Sequence, residues 1–168
     1  MAKPTRYAPL ICTILTIVTI IMAIVSFYTH NALWIIISLI PAVIYEVYRT
    51  QEGATTKYTS ILLLIVLVVE AILIIFKVNF DLAGFFGEES KYVGGYDLPL
   101  GDIKVFGPIL TAILSVVLFF RTAGVFTKWL SVVICIGSLT ATYIINPIFF
   151  RSLLKIIVNG LFDRINLY

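Results

Sequence analysis

Glu70 stands inside SILLLIVLVVEAILIIFK (60–77), a run otherwise fit for hydrocarbon. A carboxyl group in that setting has two kinds of chemistry open to it. It can bind or pass a proton or cation, or it can clamp helices together by hydrogen bonds. A charged residue such as Asp at a membrane helix centre costs about 2.5–3.5 kcal/mol on insertion scales, so Glu70 is expected to face other helices, protonated or paired. It lies about twelve residues into a span starting at 58, level with Thr19, Thr140 and Tyr143 if the first and fifth helices run the same way. Lys77 is seven residues on, roughly 10 Å along a helix axis and too far to pair directly. The sequence offers no second deep carboxylate and no intramembrane Lys or Arg to build a relay. The packing clamp, within the chain or to a partner subunit, is therefore preferred over a transport site.

Other candidates are weaker. Glu46 and Arg49 are three residues apart on one helix face and read as an ion pair at the membrane edge. Thr13, Thr16 and Thr19 recur every three residues on the first helix. Gly137/Ala141 and Ser138/Thr142 give the fifth a face of small residues, which allows close backbone approach in lipid. This pattern indicates helix packing, with a polar pore lining as the second reading. Asn146-Pro147 biases the chain out of helical geometry; it either ends the helix or frees carbonyls that can meet a cation. The acidic loop GEESKYVGGYDLPLGD has oxygen ligands without the regular spacing of a calcium loop, and reads as a solvated or partner-docking segment.

No catalytic, cofactor or metal constellation emerges from these residues. His30 is the only histidine. Cys12 and Cys135 both lie in apolar runs, outside any CxxC pair, and behave as small hydrophobes. The motifs of serine hydrolases, zinc proteases and nucleotide-binding folds do not occur. An enzyme is not expected.

The elements that must position these groups are membrane helices. Hydrophobic residues make up 61% of the 168, charged residues 12%, and mean hydropathy is +1.08. Soluble domains run near 45–50% apolar and about 25% charged. The expected fold is an all-α integral membrane protein, a single domain over 1–168, with about five spans at 7–28, 32–48, 58–76, 105–120 and 129–150. The first run is too long for a signal-peptide core and is read as a retained span. Pro41 should kink the second, and the fourth, at 16 residues, is short enough for a re-entrant helix to be the alternative. A long polar loop, 77–104, carries turn signals at Gly94-Gly95 and Pro99, and VNFDLAGFF within it reads as a short interfacial helix. In the tail, 151–168, Arg151, Lys155, Asn159 and Asp163 recur every four residues, the pattern of an interfacial amphipathic helix.

The net charge of +3 is spread over span ends and forms no basic block, so nucleic acid is not a partner. The positive residues of the short loops favour an N-terminus inside, in a bacterial-type plasma membrane. The expected partners are membrane lipids and other membrane subunits or further copies of the chain. The expected function is non-catalytic: a subunit, scaffold or assembly factor of a membrane complex. A channel or transporter-like oligomer with Glu70 in the path is the alternative, and lipid handling a third reading.

Overall fold

A computed structural model describes residues 7–50, 53–76, 90–93, 96–99 and 103–165. Within them the chain forms six α-helices: α1 (Ala8–Thr29), α2 (Leu33–Arg49), α3 (Gly53–Ile75), α4 (Phe106–Arg121), α5 (Val125–Ile145) and α6 (Pro147–Ile165). A 3-10 turn, Ile103–Val105, leads into α4. The strands among the described residues, β1 (Ser90–Val93) and β2 (Tyr96–Pro99), make a two-stranded antiparallel hairpin in the long connection. Gly94-Gly95, the VNFDLAGFF segment and the tail beyond 165 lie outside the described residues.

Three helices, α1, α3 and α5, are long and apolar enough to cross a membrane, at 22, 23 and 21 residues. Their length covers roughly 30 Å of hydrocarbon at 1.5 Å per residue. Helix α4 is apolar and shorter, 16 residues, and continuous. Helix α2 has 17 residues with Pro41 inside it, on an exposed side of the helix.

The turn between α1 and α2 is tight for a physical reason. His30 closes α1 in the left-handed conformation (φ 49°), and the His30 and Asn31 amides donate to the Phe27 and Ser26 carbonyls. Asn31 then accepts from the Leu33 amide through its side chain at 3.0 Å, while Ser26 Oγ donates to the Asn31 carbonyl at 2.7 Å. The polar triplet Thr29-His30-Asn31 thus reverses the chain, as its sequence implies.

Besides the start of α5 at Val125 and not 129, two boundaries differ from those expected. Helix α3 begins at Gly53, because the small polar residues before Tyr58 continue the helix into the loop. The fifth span does not run to 150. It ends at Ile145, and Asn146 separates it from α6 (φ −146°, ψ 94°).

Helix α2 shares the centre of the bundle with α5. It packs on α1, α3 and α5, while α3 also packs on α4, α4 on α5, and α5 on α1. The core is built from Ile35, Ile36, Leu39 and Val43 of α2 against Leu63 and Leu67 of α3 and Leu130 and Ile134 of α5, all essentially inaccessible. Buried hydroxyls lie among them, including Ser38, Ser115, Ser131 and Thr142, each donating to a carbonyl of its own helix. The outer surface is apolar: Leu10, Ile14, Ile17, Ile21, Ile65 and Ile136 are all half or more exposed. Hydroxyls within and aliphatic side chains without is the distribution a lipid solvent imposes, since bare backbone and unpaired polar groups are excluded from its surface.

Candidate functional site

Glu70 projects from α3 toward α4 and is 2% exposed. A β-carbon built on Gly107 would stand 3.0 Å from Glu70 Cγ, 3.1 Å from Oε2 and 3.2 Å from Cβ. Glycine at the first turn of α4 is what allows the acidic side chain to lie this close to the helix. Both carboxylate oxygens are buried and have no hydrogen-bond partner among the described residues. One turn along α4, Thr111 is fully buried, and its hydroxyl also has no partner there.

Glu70 lies toward the C-terminal end of α3, as its expected span to 76 places it. It lies five residues before the end of α3 at Ile75, about 8 Å along the axis. It is level with the start of α4, so the positive end of that helix dipole faces the carboxyl.

The hydroxyls expected beside Glu70 are elsewhere. Thr19 Oγ1 donates to the Leu15 carbonyl and Thr140 Oγ1 to Ile136, each at 2.8 Å. Both line an outward-opening groove of about 190 Å³ between α1 and α5, together with Thr16, Trp129 and Gly137. Across its mouth the Trp129 indole N–H donates to Thr16 Oγ1 at 3.0 Å. Tyr143 packs its ring against Phe27 and Phe150, with centroids 6.0 and 5.6 Å away. Equal depth along two helices does not make them neighbours. The bundle order decides that, and α3 packs chiefly on α2 and α4.

Glu46 is fully buried within the bundle and not at an exposed edge. Its carbonyl accepts from both the amide and hydroxyl of Thr50, at 2.9 and 2.8 Å, and Ser60 of α3 donates to the Thr50 hydroxyl at 3.2 Å. Arg49 holds its guanidinium 5.7 Å from the Phe126 ring centroid on α5. Both charged groups lie within electrostatic reach of Cys12 on α1, so four helices meet here at the bundle end opposite Glu70.

The small-residue face of α5 is consumed inside the chain. Gly137, Ser138, Ala141 and Thr142 are all buried, and a β-carbon on Gly137 would stand 2.7 Å from Leu39 Cδ2 of α2. Ser138 Oγ is buried without a partner among the described residues. Asn146 acts as a double cap. Its amide donates to Thr142 at the end of α5, and its side-chain oxygen accepts from the Phe149 amide at 3.0 Å at the start of α6. Pro147 occupies the first position of α6, where a missing N–H is harmless.

Comparison with known protein families, characterised proteins and solved structures gives no match for this chain. The site must therefore be judged by its own geometry. Sequence reasoning missed Gly107 and Thr111. The available signal was the Gly-Pro pair at 107–108, with Thr111 four residues after the glycine. It also missed Phe126 as the seat of Arg49. Among the described residues no group of three or more His, Cys, Asp or Glu is placed to hold a metal.

Proposed function

We propose that this chain is a non-catalytic, multi-pass membrane protein that works as a subunit or scaffold of a larger membrane assembly. In this reading all of α1 to α5 cross the bilayer with the N-terminus inside, and α6 lies along the interface as an amphipathic helix. The observation that carries it is the α1–α5 groove. Thr16, Thr140 and the Trp129 indole line its outward-opening mouth among Ile20, Val132 and Ile136. Hydroxyls on a lipid-facing seam favour a neighbouring helix, because they can accept hydrogen bonds that acyl chains cannot donate. Helix α1 adds to this. Only 17% of its most apolar stretch is buried, leaving a long face for a partner. Exposed Arg151, Lys155 and Asn159 on α6 fit a headgroup-facing side.

The test is cross-linking through a cysteine at Thr140 in native membranes, followed by mild-detergent purification. A cross-linked partner or second copy at that position supports the reading. A lone, uncross-linked monomer removes it, and lipid retained by that monomer turns the interpretation to lipid handling.

A further inference from the structure

Glu70 and, one turn along α4 from the glycine it packs against, Thr111 carry unspent oxygen donors. Glu70 is 2% exposed and Thr111 0%, and neither the two carboxylate oxygens nor the threonine hydroxyl has a hydrogen-bond partner among the described residues. The Thr111 hydroxyl departs from the habit of this bundle. Thr13, Thr16, Thr19, Thr140 and Thr142 each return the hydroxyl proton to the carbonyl four residues back. For Thr111 that carbonyl belongs to Gly107, the residue against which Glu70 lies. The hydroxyl is withheld from the backbone at the very turn where the carboxyl packs.

Leaving buried polar groups unpaired is costly, and more so for a charge, so a set of three points to an occupant. The donors are all oxygen, which suits a hard cation. Charge decides its class. A single carboxylate neutralises one positive charge, and a divalent ion would leave an uncompensated charge in an apolar interior. The positive end of α4 supports the carboxylate when it is empty, so that release does not strand a bare anion. Among the described residues, the charged groups of the surrounding elements divide between the two ends of the bundle. Glu46 and Arg49 of α2 and Arg121 of α4 are at the opposite end of the bundle. At the Glu70 end are half-buried Lys104 in the 3-10 turn, exposed His30 in the α1–α2 turn, and exposed Arg151 and Lys155 on α6.

We propose that Glu70 and Thr111, beneath the first turn of α4, form a binding site for one monovalent cation, a proton or a sodium ion, exchanged with water at the α3–α4 end. The site stands whether or not the chain docks in a larger assembly, because its donors belong to this chain alone.

A hydrophobic carbodiimide tests it on the full chain in proteoliposomes. The reagent adds the O–H of a protonated carboxyl across its N=C bond, and the adduct rearranges to a stable N-acylurea read by peptide mass spectrometry. Labelling at Glu70 is expected, absent from Glu70→Gln, and falling as pH rises. Protection by sodium at fixed pH identifies the sodium ion as an occupant; pH dependence with no sodium effect identifies the proton. Thr111→Ala should move the half-labelling pH or sodium concentration several-fold while leaving Glu70 reactive. Glu70→Asp, checked for a native elution profile, guards against a folding defect in the glutamine variant. Labelling indifferent to both pH and sodium, or no labelling of Glu70 in folded protein at any pH, overturns the proposal.

Discussion

Gly137 of α5 and Leu39 of α2 form a close helix-to-helix notch: a β-carbon on Gly137 would stand 2.7 Å from Leu39 Cδ2. Leu39 is inaccessible to solvent, so the leucine has little room to withdraw. Gly137→Ala should therefore destabilise the bundle by about 1–3 kcal/mol, the usual range for an extra methyl in a packed core. Reversible unfolding in mixed detergent measures it. In a double-mutant cycle, Leu39→Ala should recover part of the loss by vacating the space. Simple additivity of the two changes would show that the notch does not bind α2 to α5.

Trp129 and Thr16 join α5 to α1 by a side-chain hydrogen bond of 3.0 Å at an exposed seam. Inter-helix hydrogen bonds in membranes average about 0.6 kcal/mol. Thr16→Val, which keeps the shape and removes the hydroxyl, should cost about that much and alter Trp129 fluorescence. A larger loss confined to native membranes, and absent in detergent, would mean that the same seam also holds a partner.

Arg49 and Phe126 predict a further asymmetry. The guanidinium is 5.7 Å from the ring centroid and partly buried, an arrangement worth about 0.5–2 kcal/mol depending on desolvation. Phe126→Leu keeps the apolar volume and should lose this term. Arg49→Lys should lose some of it as well, since the planar group gives way to a compact ammonium. Detergent-titration midpoints of the two variants and the double variant check the coupling. Equal and additive losses would place the interaction of Arg49 elsewhere.

Much of the architecture is legible in the residues, and the misses have physical causes. Hydropathy finds α1, α3 and α5 because length and apolar content are properties of a single segment. The Thr29-His30-Asn31 reversal is legible for the same local reason. Polar helical residues before Tyr58 carry no hydropathy signal, so the start of α3 at Gly53 is hidden. The break at Asn146 is visible as a dipeptide, yet hydropathy continues smoothly through it, and only capping by its side chain shows that one run is two helices. The surroundings of Glu70 depend on which helices neighbour α3. No periodicity encodes that, which is why Thr19, Thr140 and Tyr143 were expected near it and Gly107 and Thr111 were not.

Asn146 offers a test of that break. Its side-chain oxygen accepts from the Phe149 amide at 3.0 Å, and Phe150, one residue further, packs edge-on against Tyr143 at 5.6 Å. Asn146→Ala removes the cap, at a cost of about 0.5–2 kcal/mol. Asn146→Asp keeps an acceptor and should hold most of that stability. If the cap sets the direction in which α6 leaves the bundle, the alanine variant should also change access to Cys135. This thiol is part-exposed and lines the apolar groove between α4, α5 and α6, while Cys12 is 3% exposed. A lipid-soluble maleimide should therefore modify Cys135 several-fold faster than Cys12 in the native protein, and faster still in Asn146→Ala. Equal rates for the two thiols would contradict the packing of α1 against α2, and an unchanged Cys135 rate in the variant would show that Pro147 alone directs α6.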